Sequence, residues 1–353
     1  MLVKTFLIVD GSSMLSTSYY GSLPKSVQFA KTLEEKVAHY SDILQTSNGI
    51  FTNAMFTMIR SLFKLLREIK PDYFAVAFDM SRNTFRRTEL GASFYKANRT
   101  ETQFPLKSQF VQMEDFLRQI GVTVLCGHNY EADDYIASVV STFELEPDIH
   151  FIVHTKDHDF MQLVSDNVEL WRPVSSKRVD ELLSKRIISP DSVVFGNTVI
   201  YDSALVEAET GVKPTQIVDL LAIAGDSGDG IPGCKGVSSA AAPLLQHCGS
   251  LNVLYETLDA CLTKNDEKVF LDVLKNQYGV TRSPFNALRK YRDDVFLSQK
   301  LAQMKRDIGD IPKVLSQYEF RINTRQLYDL LQRYEMKSLI SYCETVMYEF
   351  GFS

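Results

Sequence analysis

Short apolar runs alternate with helical patterns through the first half of the chain. The runs are rich in Phe, Val and Ile, which is typical of buried strands. They lie at residues 6–9, 73–78, 122–125 and 151–153. The helical periods cover residues 50–69, 110–120 and 130–143. This alternation predicts an α/β fold, in which a mostly parallel, doubly wound sheet carries helices on both faces.

The second half of the chain has a different pattern. Helical periods dominate from residue 212 onward, and the last of them forms a charged tail. These predicted helices cover residues 214–224, 238–246, 251–258 and 285–352. We therefore expect an α/β core, an insertion or connection, and an α-rich C-terminal region. Their predicted bounds are 1–175, 176–211 and 212–353.

The composition is that of a globular protein. Hydrophobic residues make up 45% of the 353 residues, and no apolar stretch reaches the roughly 18 residues that a membrane span requires. The apolar N-terminus is short and ends on Asp10, so it is typical of a strand rather than of a targeting segment. The five cysteines show no C-x-x-C spacing, which argues against disulfides and zinc. We therefore expect a cytoplasmic protein.

Carboxylates recur where the predicted strands end or the following helices begin. Asp10 and Asp79 close two strands, Asp133 opens a helix, and Asp226 lies in a glycine-rich loop. The carboxyl ends of parallel strands meet at one edge of a sheet, where α/β folds bind their ligands. Several carboxylates in one cleft need cations between them, and Mg²⁺ and Mn²⁺ prefer oxygen ligands. So many acids suggest two ions about 3.5–4 Å apart, which serve displacement at phosphorus.

Each of these acids also has a simpler interpretation. An Asp after a strand is usually a helix cap or a turn residue, and acids at a helix start favour the helix dipole. Asp226 and Asp229 among glycines can be turn formers. The recurrence of acids at equivalent ends of successive elements is what favours a metal site over capping alone.

Six motifs resemble those of the 5′-nuclease family, which includes the 5′-3′ exonuclease domain of bacterial DNA polymerase I, phage 5′-exonucleases and flap endonucleases. They occur in the family's order. The motifs are IVDGSS (8–13), VAFD (76–79), FYKANR (94–99), YEADD (130–134), TKDHDFMQL (155–163) and GDSGDGIPG (225–233). The resemblance favours a free-standing bacterial or phage member, with an excised domain of a larger protein as the alternative.

The resemblance implies two metal sites and two Mg²⁺ ions, for which Mn²⁺ can substitute. Asp134 and Asp229 can also act through water. The first site would comprise Asp10, Asp79, Glu131, Asp133 and Asp134. The second would comprise Asp157, Asp159, Asp226 and Asp229.

Residues 81–109 are locally basic although the chain has a net charge of −6. Six basic residues against two acidic ones give this segment a local charge of +4. The resemblance implies a helical arch here, in which Lys96 and Arg99 approach the scissile phosphate as catalytic cations. On composition alone, a solvated basic face with aromatic anchors in the core is the alternative. The predicted DNA contacts are Arg82, Arg86, Arg87, Tyr95 and Lys107.

The turn at residues 233–238 resembles a second DNA-binding element of the family. There a turn opens a helix whose backbone N–H groups hold duplex phosphate, often with K⁺. The resemblance assigns DNA contacts to Gly233, Lys235 and Gly236. Ser238 stands where a second hairpin glycine is usual, and residues 240–242 are all alanine, so we expect a weakened duplex anchor.

The motifs together predict a monomeric, metal-dependent 5′-3′ exonuclease or flap endonuclease. Its expected substrates are DNA 5′ ends and flaps, with RNA primers as further candidates, and a polymerase partner stays unspecified. Two alternatives are a non-catalytic member that binds branched DNA and a ribonuclease of the PIN type. A nucleotide-binding enzyme ranks last, because the chain has neither G-x-G-x-x-G nor G-x-x-x-x-G-K-[ST].

Overall fold

A computed structural model describes residues 3–351, so the last residue of the predicted helical tail lies outside the described part. The strands are β1 Lys4–Asp10, β2 Tyr73–Asp79, β3 Thr123–Gly127, β4 Ile149–His154, β5 Val168–Pro173, β6 Val193–Val194 and β7 Thr198–Tyr201. The helices are α1 Gly11–Gly21, α2 Lys25–Gln28, α3 Leu33–Ala38, α4 Asn53–Ile69, α5 Phe85–Thr88, α6 Phe104–Gln119, α7 Ala132–Phe143, α8 Ser176–Ser184, α9 Ser203–Thr210, α10 Ile217–Ala224, α11 Ala241–Cys248, α12 Leu251–Ala260, α13 Lys264–Tyr278, α14 Phe285–Lys290, α15 Arg292–Ala302, α16 Thr324–Arg333 and α17 Lys337–Glu349. Short 3₁₀ helices occur at Tyr40–Asp42, His158–Leu163, Pro190–Ser192, Phe195–Asn197, Pro214–Gln216, Ser238–Ala240 and Leu315–Tyr318.

The chain divides into two compact units that do not follow the predicted boundaries at residues 175 and 211. The first unit contains the described residues up to 81, residues 100–156 and the described residues from 306. The second contains residues 82–99 and 157–305. The predicted roles of the three sequence segments stay predictions.

Four parallel strands form the sheet of the first unit, in the order β3-β2-β1-β4. Residues 6–9 of β1 are fully buried, as the continuous apolar run predicts for a sheet covered on both faces. The register pairs Asp10 with Ala77 and Asp79 with Gly127. The carboxyl ends of β1, β2 and β3 therefore lie side by side at one edge.

Helix α4 of the first unit buries one face. The α4 helix is strongly amphipathic, with Met55, Ile59, Leu62 and Leu66 buried, and it ends at Lys70 in a left-handed conformation. Among the described residues, no helix is both long and apolar enough to cross a membrane. The predicted α/β fold class is confirmed.

The second unit carries antiparallel strands and most of the C-terminal helices. Strand β7 pairs antiparallel with β5 on one side and with β6 on the other. These three short strands were not predicted. Residues 176–211, which the sequence left as an insertion or connection, form α8, β6, β7 and α9. Their periodic patterns are too short to stand out in sequence.

Candidate metal centre and nucleic-acid interface

The first acidic cluster comprises Asp10, Asp79, Glu131, Asp133 and Asp134, all in the first unit. Asp10 ends β1 and caps α1: one carboxylate oxygen accepts from the Ser13 N–H over 2.9 Å. Its other oxygen accepts from the Thr155 hydroxyl over 2.6 Å. Asp79 ends β2, and its Oδ1 accepts from the Ala132 N–H over 2.8 Å. Asp79 is thereby tied to the first turn of α7.

The remaining acids of the first cluster open α7. Glu131 is the N-cap, and its N–H donates to Asp134 Oδ2 over 3.1 Å. Carboxylate oxygens of Glu131, Asp133 and Asp134 lie within 4.8 Å of one another. Glu131 and Asp134 are buried, with exposures of 5% and 0%. Burial of charged carboxylates at this spacing is costly unless a cation or a donor faces them.

The second acidic cluster comprises Asp157, Asp159, Asp226 and Asp229, all in the second unit. Oxygens of Asp159, Asp226 and Asp229 lie within 4.8 Å of one another. Asp157 caps the following 3₁₀ helix by accepting from the Asp159 N–H over 3.0 Å. Asp226 Oδ1 accepts from the Gly228 N–H over 2.7 Å, which tightens the loop that carries it. We call residues 225–233 the acidic loop.

The surroundings of Asp159 disfavour the charged form of its carboxyl group. Burial, followed by the charges of Asp157, Asp229 and Asp226, raises the pKa of Asp159 to about 8, and Lys96 offsets part of this effect. Asp159 Oδ1 is buried and has no hydrogen-bond partner within the described part of the chain. A divalent cation would satisfy this oxygen and relieve the repulsion, so the donor set fits a hard cation.

The basic segment, defined as residues 82–99, lies in the same unit as the second acidic cluster. Lys96 Nζ lies 3.5 Å from Asp229 Oδ2, and Arg99 Nη2 lies 2.5 Å from Asp229 Oδ1. The side chain of Arg99 is half exposed, whereas those of Lys96 and Asp229 are mostly buried. The two predicted catalytic cations thus meet a predicted metal ligand.

Two of the predicted DNA contacts in the basic segment are buried. Arg86 is 1% exposed, and its guanidinium donates to the carbonyl oxygens of Leu301 and Gln303 over 2.9 and 3.2 Å. Tyr95 is 3% exposed. Their positions argue against the predicted roles in DNA binding, because a buried guanidinium that bonds to carbonyls and a buried ring cannot reach a phosphate or a base.

The other predicted contacts of this region differ in how they are placed. Arg82 is exposed and donates to the Arg99 carbonyl oxygen over 3.0 Å. Arg87 donates from two nitrogens to the Tyr95 carbonyl oxygen over 2.8 and 2.6 Å. Lys107 is exposed in α6. Within residues 81–109, for which a helical arch was predicted, the described helices are the four-residue α5 and the first turn and a half of α6, and residues 89–103 between them form no helix. Helix α5 ends at Thr88, and Gly91 in the loop that follows has a φ of +68°, which a glycine adopts without steric cost.

At the turn formed by residues 233–236, two of the three residues that were predicted to contact DNA are exposed. Lys235 and Gly236 are exposed, but Gly233 is buried and its N–H donates to Ser298 Oγ over 2.9 Å. A Cβ on Gly233 would lie 2.4 Å from the backbone nitrogen of Gly225. Gly233 therefore closes the acidic loop, and its N–H is already engaged within the protein.

Three polar residues that the sequence analysis left unassigned lie against the acids. The Thr155 hydroxyl donates to Asp10, and the Asp79 N–H donates to Ser12 Oγ over 2.8 Å. His158 Nε2 lies 3.4 Å from Asp159 Oδ1. All three fall inside the motifs at residues 8–13 and 155–163 that resemble those of the family, which is the signal that could have found them.

Comparison with known proteins adds two family matches. Residues 5–193 match the model described as 5′-3′ exonuclease, N-terminal resolvase-like domain, and residues 212–326 match 5′-3′ exonuclease, C-terminal SAM fold. The 5′-3′ exonuclease of Aquifex aeolicus is 30% identical over 96% of this chain and 94% of its own length. DNA polymerase I of Caldicellulosiruptor bescii is 29% identical over 98% of this chain. The chain spans about a third (34%) of that polymerase.

Solved structures share the fold at lower identity. The zinc-bound T5 5′-exonuclease aligns with a TM-score of 0.57 and 18% identity, covering 86% of this chain and 90% of that one. The T5 D15 flap endonuclease in complex with DNA and metal ions aligns with a TM-score of 0.53 and 16% identity, covering 97% and 99%. At these identities the likeness shows the fold alone.

Proposed function

The chain belongs to the 5′-3′ exonuclease family, and from this premise we propose that it is a divalent-metal-dependent nuclease that hydrolyses DNA phosphodiesters at or near 5′ ends. One observation carries the proposal most directly. Asp159 is mostly buried beside three other acids, and its Oδ1 has no hydrogen-bond partner among the described residues. A protein that only binds DNA would gain nothing from this repulsion, whereas a metal enzyme needs it.

Each acidic cluster would hold one divalent ion. Asp10, Asp79, Glu131, Asp133 and Asp134 would supply oxygens in the first, and the oxygens of the last three lie within 4.8 Å of one another. The second would be held by Asp157, Asp159 and Asp226, with Asp229 nearby. Mg²⁺ is the ion that this all-oxygen donor set favours, and Mn²⁺ would substitute for it. That both clusters act on one phosphate stays a prediction.

Bound divalent ions would activate a water molecule and neutralise charge on the phosphate. Lys96 and Arg99 would bind the phosphate oxygens, because a guanidinium and an ammonium stabilise the charge that develops there. Asp10 would be held in place by the Ser13 N–H and the Thr155 hydroxyl, so that its orientation does not depend on substrate. No side chain needs to act as a general base in this scheme.

The substrates and partners are further proposals. We infer that 5′ flaps and free 5′ ends are cleaved, and that RNA primers paired to DNA are substrates of the same chemistry. K⁺ would bind at the turn formed by residues 233–238, where Lys235 and Gly236 would contact duplex phosphate. We expect a cytoplasmic monomer.

A flap assay tests the proposed activity. A duplex with a labelled 5′ flap is incubated with the protein in Mg²⁺, then in EDTA, beside a single-stranded RNA of the same sequence. The proposal predicts cleavage of the flap in Mg²⁺ only. Cleavage that persists in EDTA, or cleavage of the RNA alone, would contradict it. A variant Asp133→Asn should bind the flap without cutting it, which separates a lost metal ligand from lost DNA binding.

A further inference from the structure

The basic segment and the acidic loop are joined by backbone as well as by charge. The Lys96 N–H donates to the Asp229 carbonyl oxygen over 2.8 Å. Two residues further along, Asn98 Nδ2 donates to the Ser227 carbonyl oxygen over 2.9 Å. Both carbonyls belong to the acidic loop. This two-point attachment fixes how the basic segment lies on that loop.

Gly230 makes this close approach possible. Its φ of +74° is a conformation that residues with side chains rarely adopt. A Cβ at this position would lie 3.0 Å from the Phe94 carbonyl oxygen and 3.7 Å from the Lys96 backbone nitrogen. Any larger residue would push the basic segment away and stretch the Lys96–Asp229 bond.

Lys96 itself has a φ of +52°, which is unfavourable for a residue with a side chain. The docked backbone holds it in that conformation. The consequence is that Lys96 Nζ and Arg99 Nη2 face the two oxygens of Asp229, one cation to each oxygen. Neither orientation would persist in a segment that moved freely, because long side chains lose their geometry when their backbone is mobile.

We propose that Asn98 and Gly230 are positioning residues that dock the basic segment on the acidic loop and hold Lys96 and Arg99 beside the second acidic cluster. Asp229 is then the partner of the two cations, and a substrate phosphate takes its place. This role rests on the proposed nuclease function. It gives Asp229 a different task from Asp159 and Asp226, which offer oxygens to the ion.

Limited trypsin digestion measures the docking without any metal or DNA. Trypsin cuts after Lys96 and Arg99, and the cutting rate follows the fraction of molecules in which the segment is undocked. In the full-length protein in EDTA, Asn98→Ala should speed cutting at these two sites about two- to fivefold, since one solvent-exposed hydrogen bond is lost. Gly230→Ala should act in the same direction.

Ser93→Ala is the matched control, because Ser93 is an exposed residue of the same segment. Its cutting pattern should equal that of the wild type. The thermal midpoint of each variant is recorded so that global unfolding is recognised. Equal cutting rates at Lys96 and Arg99 in wild type, Asn98→Ala and Gly230→Ala would overturn the proposal. A rise of the same size in Ser93→Ala would overturn it as well.

A second measurement distinguishes a positioning role of Asn98 from a merely structural one. Asn98→Ala should lower kcat on the flap about three- to tenfold while leaving the Mn²⁺ affinity, followed by titration, unchanged. A Mn²⁺ affinity that falls in parallel would show that the acidic loop itself is distorted, and would contradict a positioning role. If the wild type cleaves no flap, the proposed function fails, yet the trypsin comparison still decides whether Asn98 docks the segment.

Discussion

In the first acidic cluster the carboxylates face backbone N–H groups, whereas in the second Asp159 faces other carboxylates. Asp10, Asp79 and Asp134 each accept a hydrogen bond from a helix N-terminus of the same unit. Asp159 instead lies mostly buried beside three acids, and burial together with their charges raises its pKa. Donors within the fold therefore stabilise the first cluster, while in the second Asp159 faces repulsion that a cation would relieve.

The two clusters also show that a carboxylate can affect the protein in two different ways. A carboxylate at a helix start contributes to stability and to metal binding at once. A carboxylate in a repulsive cluster contributes only when the ion is present. Substitutions that remove a carboxylate should therefore lower activity in both clusters, but those that also remove its hydrogen bonds in the first cluster should lower stability, whereas loss of the Asp159 carboxylate in the second should raise it.

The largest expected effect is on cleavage. Asp133→Asn and Asp159→Asn should each lower kcat/KM on a 5′ flap by at least about a hundredfold, because each ion contributes several kcal/mol to charge stabilisation. Single-turnover cleavage in Mg²⁺ measures this loss. If one of the two variants cleaved the flap at the wild-type rate, its cluster would take no part in catalysis. The comparison between the two clusters would then fail.

The next effect is the stabilisation by metal. Saturating Mn²⁺ at about a hundred times its Kd should stabilise the wild type by about 2.7 kcal/mol for each of the two proposed ions. The Asp159→Asn variant should lose most of the stabilisation by Mn²⁺ that the second cluster contributes, and it should keep the stabilisation that the first cluster contributes. The midpoints of urea unfolding with Mn²⁺ and with EDTA report both values. An undiminished response in Asp159→Asn would show that the second cluster does not bind the ion.

A smaller effect appears in the metal-free protein. Asp10→Ala removes the cap of α1 and the acceptor of the Thr155 hydroxyl, so the free energy of unfolding should fall by about 1–2 kcal/mol. Asp159→Asn should raise it, because the unfavourable placement of this carboxyl group among other acids, which raises its pKa, is removed. Asp10→Asn, which keeps the acceptor, is the control. A loss of stability in Asp159→Asn would contradict the contrast between the clusters.

The smallest expected effect is a dependence of the free energy of unfolding on pH. Because the pKa of Asp159 is raised in the folded state, the folded protein holds a proton that the unfolded chain has lost, and stability should fall as pH rises from about 4 towards 8. His154 is buried, which lowers its pKa to about 4, so it acts in the opposite sense up to its ordinary value of 6.5. The slope of Asp159 should therefore be clearest between about pH 6.5 and 8.

Urea unfolding in EDTA at several pH values measures this slope. The curve of the wild type should decline through that interval, and the curve of Asp159→Asn should stay level there. Parallel curves for the two proteins would show that Asp159 ionises at its ordinary pKa and that the cluster is not repulsive.

The sequence alone identified the α/β fold class and the parallel strands, and it predicted the acids of both clusters from their positions and from the family resemblance. These features follow from local pattern: apolar runs mark β1 and β2, and acids such as Asp10 and Asp79 follow directly at their ends. Because parallel strands place their carboxyl ends at one edge, adjacency in space could be inferred from position in the chain.

Tertiary structure alone decided what surrounds each residue. Arg86 and Tyr95 lie in a basic stretch that predicts an exposed face, yet both are buried, since residues more than 200 positions away cover Arg86. The pairing of Lys96 with Asp229 and the raised pKa of Asp159 depend on contacts between distant parts of the chain. Periodicity reports only which side of an element is apolar, whereas burial and charge depend on the elements that pack against it.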